Sequence, residues 1–214
     1  MLSESLVLSS GHYSFNGPVG LGAENFRIGI YLPHFPESSI TQQLSGLRPV
    51  SAGELEVLAR ELGNHWRKII NIAAKIGARL QPELAEAVGD IARTPPGQTW
   101  QDYRDQSLCQ AGSVVALLFS APLGSEKYHH RRPELDLPNP QEVRVMSGHQ
   151  YCLQCFPALN FEVIDQDFKL SRSLSVIDSP YFDYRQLSNR KLEKLIVLIQ
   201  SLLGASTVSN LGAS

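Results

Sequence analysis

The densest group of chemically capable residues lies near the C-terminus, in the segment Pro180–Gln186 (PYFDYRQ). An aromatic ring can stack on a nucleobase, a guanidinium can bind phosphate, and a carboxylate can exchange a proton. We therefore predict that Asp183 is catalytic and that the ligand is bound by Tyr181, Tyr184 and Arg185.

The same segment also has a purely structural interpretation. Tyr181 and Phe182 could pack at the sheet edge beneath the last helix. Asp183 and Arg185 could form a surface ion pair, which contributes little stability. The sequence leaves both interpretations open.

Further candidates occupy loops that follow predicted strands. His34 and His149 can exchange protons near neutral pH, and we predict catalytic roles for both, with Phe35 as a ligand contact. The long loop 121–140 contains KYHHRR, in which Arg131 and Arg132 could hold phosphate. The alternatives are hydrogen-bonded polar histidines and a solvated basic loop.

A CxxC motif at Cys152 and Cys155 follows His149. At a helix start it could be a redox pair, and with His149 it could supply three metal ligands. A single CxxC without a second ligand pair more often consists of two partly buried thiols. We therefore predict reduced cysteines, no metal and no cofactor.

Apolar runs predict the strands that must position these residues. They span Phe26–Leu32, Val114–Phe119, Val143–Met146 and Leu174–Ile177, with a further short strand at Phe161–Ile164. Pro180 stops the last of the four main strands. Because amphipathic helices alternate with these strands, we predict a three-layer α/β/α sandwich with a central, mainly parallel sheet. The strand-end loops should then share one edge of the sheet.

The helices have clear start signals and less clear ends. Ser51 and Glu54 form a capping box, which predicts a helix that could continue to Leu80. Pro82 is expected to begin another helix, and Thr99 with Asp102 to cap a helix from Trp100 to about Ala111. The last helix begins near Asn189 and is expected to stop at Gly204.

Composition limits the function classes. Nineteen basic and 21 acidic residues give a net charge of −2, so no global charge favours nucleic acid or an anionic membrane. The sequence contains neither a signal peptide nor a membrane span, which predicts a cytoplasmic protein without a membrane partner. We expect one domain over residues 1–214, with an N-terminal arm or loop at 1–22 and a disordered tail at 205–214. The oligomeric state is not indicated.

The order of elements resembles the uracil-DNA glycosylase superfamily. The segment Val145–Tyr151 (VMSGHQY) is similar to that family's strand, glycine and helix start, and Ser179-Pro180-Tyr181 to its His-Pro-Ser loop. Pro33–Pro36 stands where the family has its water-activating loop. That loop here contains no Asp or Asn, and Ser179 replaces the loop histidine. The resemblance therefore implies the fold and a binding or altered role, with glycosylase motifs changed.

Three functions fit these patterns. The first is binding of a nucleobase, nucleotide or nucleic acid in a cleft at the strand C-terminal ends. The second is a small-molecule hydrolase that uses the loop histidines or Asp183. The third is a non-enzymatic protein-interaction domain. The motifs for nucleoside triphosphates, dinucleotides and a serine nucleophile elbow (GxxxxGK[ST], GxGxxG and GxSxG) do not occur.

Overall fold

A computed structural model describes residues 18–88, 99–122 and 142–211, with side chains for 18–84, 99–122 and 142–204. The strands in this part of the chain are β1 Gly20–Leu21, β2 Ile28–Tyr31, β3 Leu47–Arg48, β4 Val115–Leu118, β5 Val143–Ser147, β6 Glu162–Val163, β7 Lys169–Ser171 and β8 Val176–Ser179. The helices are α1 Glu54–Leu62, α2 Asn64–Val88, α3 Trp100–Gln106, α4 His149–Cys155 and α5 Asn189–Leu211.

The described strands form one sheet in the order β3-β1-β4-β2-β5-β8-β7-β6. Its centre, β4-β2-β5-β8, is parallel throughout. Towards the two ends, β1 pairs antiparallel with β4, and β7 pairs antiparallel with β8 and β6. The predicted mainly parallel α/β sheet is confirmed, with antiparallel strands added outside the core.

Both faces of the central strands are buried, which explains why their sequences are almost continuously apolar. One face carries Ile30, Leu117 and Val145, which pack in one cluster with α1, α2, α3 and α5. The opposite face carries Leu118 and Met146, which pack against α4. The sheet is therefore the middle of three layers, with α1, α2, α3 and α5 on one side and α4 on the other.

The last core strand lies two residues later than predicted. Ser175 adopts a positive φ of 50° after a turn from Arg172, and β8 begins at Val176. Asp178 and Ser179, expected to lie beyond the strand, pair with Met146 and Ser147 of β5. Both polar side chains are buried and hydrogen-bonded, so they can stay within the sheet.

The helix that could have continued from Ser51 to Leu80 is not continuous, because it divides at Gly63. Gly63 has a φ of 78° and ends α1, and α2 begins at the next residue. Ser51 does not cap α1: Gly53 is the N-cap, although the Ser51 N–H still donates to Glu54 Oε2 at 2.7 Å.

Pro82 does not begin a new helix, because it lies inside α2. A proline in a helix interior removes one backbone hydrogen bond. Leu80 and Leu84 are buried on either side of it, and this burial keeps the helix continuous. The Thr99–Asp102 capping box of α3 is confirmed, but α3 ends at Gln106 instead of near Ala111.

The chain ends also differ from expectation. Gly20 and Leu21, expected in an arm, are buried in β1 between β3 and β4, while residues 1–17 lie outside the described part. Gly204 does not stop α5, which continues to Leu211, so residues 205–211 are helical. A single glycine costs a helix only about 1 kcal/mol, which is too little to end it. Among the described residues, no helix combines the length and apolarity needed to cross a membrane.

Candidate functional site

The carboxyl ends of the four parallel strands meet at one edge of the sheet, which we call the carboxyl edge. Pro33–Pro36 follows β2, Phe119 follows β4, Gly148 follows β5 and Pro180 follows β8. In α/β sheets this edge is where ligands usually bind. The predicted shared edge for these loops is therefore present in the structure.

Aromatic side chains form a continuous line along the carboxyl edge. Phe35 meets Phe119 edge-on with ring centroids 5.7 Å apart, and Phe119 meets Trp66 at 5.8 Å. Trp66 adjoins His65 at 6.3 Å, and His65 stacks on Tyr181 at 5.5 Å. We call these five residues the aromatic row. Two of them, His65 and Trp66, come from the first turn of α2, which the sequence did not associate with the site.

The loop after β8 contributes to the aromatic row and to the core at the same time. The Tyr181 hydroxyl lies 2.9 Å from His65 Nε2, and burial raises the pKa of Tyr181 to about 12. Phe182 is fully buried and its N–H donates to Ser147 Oγ. The inward-packing interpretation therefore applies to Phe182, while Tyr181 stays at the edge, half-buried.

Two side chains of this loop contact lysines of α2. Asp183 forms an ion pair with Lys68 of α2 at 2.8 Å, and this contact lowers the pKa of the Asp183 carboxyl. Tyr184 lies beneath the ammonium of Lys75, 5.1 Å from its ring centroid. Arg185 is exposed. Asp183 therefore links the loop to α2, instead of forming the surface ion pair with Arg185 that the structural interpretation of the sequence allowed.

The other predicted site residues are scattered. His34 is exposed, and no described residue hydrogen-bonds to its side chain. Phe35 is 45% exposed at the end of the aromatic row. Arg131 and Arg132 lie outside the described residues.

The side chain of His149 contacts Asp178, whereas the sequence indicated the CxxC cysteines that follow it. It begins α4 directly after Gly148, whose φ of 106° lets the chain turn from β5 into the helix. Its Nδ1 lies 2.8 Å from Oδ1 of Asp178, whose side chain is only 5% exposed. On the neighbouring strand Lys169 pairs with Asp178 in register, and its Nζ lies 3.7 Å from Oδ2. Asp178 is thus flanked by two nitrogen donors.

A cavity of about 400 Å³ opens beside these three residues, between α4 and the antiparallel end of the sheet. Gln150 and Cys152 also line it. Its remaining wall is apolar and consists of Leu153, Phe156, Pro157, Leu159, Phe161 and Val163. A volume of this size lies within the range typical of small-molecule sites. His34 and Tyr181 do not line this cavity, so the predicted residues do not converge on it.

The cysteines supply little reactivity here. Cys109, Cys152 and Cys155 are buried, and none of the three forms a disulfide with another described residue. Burial raises the pKa of the Cys152 thiol, and the nearby Asp178 carboxylate adds to the rise, so the thiol stays neutral. Within the described residues, no three His, Cys, Asp or Glu side chains lie close enough together to hold a metal ion.

Residues 19–200 match a family described as a family of unknown function (DUF6942). The chain belongs to the DUF6942 family. The match includes all eight described strands and the residues around the cavity. No curated protein and no solved structure matches the chain significantly.

The two charged residues that flank His149 in the cavity of this DUF6942 chain, Asp178 and Lys169, were not singled out from the sequence. Asp178 resembled a strand-ending residue because Ser179-Pro180 follows it, and Lys169 lies in a strand that was not predicted. The available signal was the position of Asp178 directly after the apolar residues Val176 and Ile177 of a buried strand. A carboxylate at such a position needs a partner, and that requirement could have identified it.

Proposed function

We propose that the protein is a hydrolase of a small molecule, with His149 as general base and Asp178 as the residue that orients it. The observation that supports this proposal is the 2.8 Å contact between His149 Nδ1 and Asp178 Oδ1 at the wall of the cavity. A carboxylate can only accept, so it favours the imidazole tautomer that carries its proton on Nδ1. The lone pair of Nε2 is then available for a proton from water.

The proposed step is attack of water on an electrophilic carbon of the substrate. His149 Nε2 takes one proton from the water as the new carbon–oxygen bond forms. The same imidazolium then returns this proton to the leaving group as its bond to carbon breaks. Asp178 stays ionised throughout and stabilises the transient positive charge on the ring. The substrate gains the elements of water, so atoms and charge balance.

Neighbouring groups support water as the nucleophile. Cys152 lines the cavity, but its raised thiol pKa leaves it protonated and weakly nucleophilic. Asp183 already forms an ion pair with Lys68. In this proposal the functional carboxylate is therefore Asp178, although the sequence suggested Asp183. His34 has no comparable orienting partner among the described residues, and the proposal gives it no role.

The test is hydrolysis of chromogenic p-nitrophenyl esters of short carboxylic acids. We expect activity above buffer that His149→Asn lowers by about 10²-fold or more, the usual contribution of a general base. Asp178→Asn should lower kcat while leaving KM nearly unchanged, because the ring loses its orientation. His34→Asn is the matched control and should behave as wild type. Equal rates for wild type and His149→Asn would exclude this mechanism, and so would a wild-type rate no greater than buffer.

A second candidate is binding of a nucleobase or nucleotide along the carboxyl edge. The aromatic row supports it, together with a layout similar to the uracil-DNA glycosylase superfamily. Ser179, at the position of that family's loop histidine, is fully buried and donates to the Met146 carbonyl at 2.9 Å. The proposal is therefore binding without glycosylase chemistry.

Ligand-observed NMR with nucleobases, nucleotides and short single strands tests this second candidate. Tyr181→Ala and Arg185→Ala should each weaken a bound nucleobase or nucleotide by at least about 1 kcal/mol, the low end for lost stacking or a lost charged hydrogen bond. Gln186→Ala, an exposed neighbour, is the control. Unchanged affinity in both folded variants would assign this loop to scaffolding.

A further inference from the structure

We propose that the cavity beside His149 is built for a small amphipathic anion, whose carboxylate or phosphate group is held by Lys169. This inference deepens the proposed function, because it names the substrate class of the same site. It depends on the charge distribution and the apolar wall of the cavity.

Among the charged groups of the cavity, the donors are accessible and the acidic group is covered. The Asp178 side chain is 5% exposed, and His149 and Lys169 flank both of its oxygens. The Lys169 and His149 side chains are 48% and 46% exposed. A ligand entering the cavity therefore meets an ammonium and an imidazole before it meets a carboxylate.

Lys169 keeps its donors free for a ligand. Its Nζ lies 3.7 Å from Asp178 Oδ2, which is longer than a hydrogen bond. No other described residue hydrogen-bonds to this ammonium, although it has three N–H donors. A ligand carboxylate or phosphate could accept from it while Asp178 holds the ammonium in place by charge alone. Asp178 would then orient the base and also position the anion-binding group.

The cavity also exposes apolar surface beside this ammonium, because Val163 of β6 pairs in register with Lys169. Leu153 and Val163 are 57% and 68% exposed, and both line the cavity. They are among the few large hydrophobic side chains exposed in the described part of the chain. Phe156 and Phe161 continue this wall inward. A hydrocarbon or aryl group bound here would cover these side chains and be stabilised by the hydrophobic effect.

The ammonium and the apolar wall together define the ligand. A purely polar anion would leave the apolar wall exposed, and a purely apolar molecule would leave Lys169 without an acceptor. A cation would meet Lys169 and gain nothing from the covered Asp178. The remaining chemistry is a short alkyl or aryl group that carries a carboxylate or phosphate.

Isothermal titration calorimetry with the full chain tests binding apart from catalysis. The probes are octanoate, phenylacetate and phenyl phosphate, with octanol and octylammonium as uncharged and cationic counterparts. We expect the anions to bind at least about tenfold more tightly than octanol and octylammonium, a difference of about 1.4 kcal/mol. The carboxylate and phosphate probes separate the two possible anionic groups.

Lys169→Met should remove this preference and Lys169→Arg should retain most of it. Arg190→Met is the matched control, because it also removes one exposed positive charge but lies at the start of α5, outside the cavity lining. Leu153→Asp should weaken all anionic probes, because it places a like charge on the apolar wall. Unfolding midpoints close to wild type establish that each variant is folded.

Two results would overturn the inference: no anion binding at millimolar concentration, or equal binding of octanol and octanoate that Lys169→Met leaves unchanged. The hydrolase proposal fails separately. Anion binding that depends on Lys169, with no hydrolysis that depends on His149, would support the ligand class and reject the reaction. If His149 is needed for hydrolysis of neutral esters but the protein binds anions no more tightly than octanol, the reaction is supported and the ligand class is rejected.

Discussion

Tyr31 and Glu142 form a buried polar contact on the face of the sheet that carries α4. The Tyr31 hydroxyl donates to Glu142 Oε1 at 2.7 Å, and Glu142 is 2% exposed. Arg144 Nη2 lies 3.2 Å from the other carboxyl oxygen. Burial raises the pKa of Glu142, and the charge of Arg144 opposes this rise. The carboxyl group therefore depends on both partners for its place in the core.

We expect Tyr31→Phe to lower the free energy of unfolding by about 1–3 kcal/mol, since a buried acceptor loses its donor. Urea unfolding at neutral pH measures the change. Tyr184→Phe is the control: its ring is 39% exposed and keeps its contact with Lys75, so the change should stay within about 0.5 kcal/mol. Equal losses in the two variants would mean that the hydroxyl of Tyr31 contributes nothing specific.

Individual site residues were only partly predictable from the sequence. His149 was identified because it follows an apolar strand and a glycine, and the structure places it beside a cavity. Its partner Asp178 was not, because pairing between β5, β8 and β7 depends on strand register, which a single sequence does not reveal. Lys68 could not be foreseen as the partner of Asp183 either, because this contact joins α2 to a loop 115 residues away along the chain.

At the scale of elements, α2 can pack closely against α3 because Gly77 of α2 has no side chain. A Cβ at Gly77 would lie 2.3 Å from Cε1 of Tyr103. Tyr103 is fully buried and its hydroxyl donates to Gln81 at 3.1 Å, so the ring is not free to move aside. Gly77 is therefore a packing residue, although glycine is a poor helix former.

We expect Gly77→Ala to destabilise the protein by about 1–3 kcal/mol, the usual cost of overpacking, in spite of the better helix propensity of alanine. Gly204→Ala in α5 is the matched control, because nothing lies within 4 Å of the Cβ it would add. That variant should be neutral or more stable by up to about 1 kcal/mol. Thermal and urea unfolding compare the two, and a stabilising Gly77→Ala would contradict the close approach of α3.

The existence of most elements could be predicted, whereas their ends could not. Continuous apolar runs identified β2, β4, β5 and β8, because both faces of these strands are covered. The division of the first helix at Gly63 and the passage of α2 through Pro82 depend on which flanking residues the core buries. Such tertiary burial outweighs local propensities of about 1–3 kcal/mol.

At the scale of the whole molecule, ion pairs connect distant elements on the helical side. Asp183 pairs with Lys68 of α2, and Asp165, in the turn between β6 and β7, pairs with Lys194 of α5. Arg48 of β3 binds Glu54 at the start of α1. In each case the hydrogen bond from the basic partner is the main cause of a lowered carboxyl pKa.

These shifts set the direction of the pH dependence. A carboxyl whose pKa is lower in the folded state stabilises the fold above its unfolded pKa, which is about 4. This stability is lost as the pH falls through the folded-state value. The raised pKa of Glu142 acts in the opposite direction and favours the folded state at low pH. Because several carboxyl pKa values are lowered, we expect the net effect to be destabilisation by acid.

Urea midpoints measured at pH 7, 5, 4 and 3 should therefore stay nearly constant down to about pH 5 and fall below about pH 4. The double variant Asp165→Asn, Asp183→Asn should have a lower midpoint at pH 7 and a smaller decrease on acidification, because its neutral amides bind no additional protons. If the urea midpoint of the double variant falls as steeply on acidification as that of wild type, the acid sensitivity comes from other residues. A midpoint that rises towards pH 3 would mean that protonation of Glu142 stabilises the fold more than loss of the ion pairs destabilises it. The ion pairs would then not hold the loop after β8 and the β6–β7 turn against the helices.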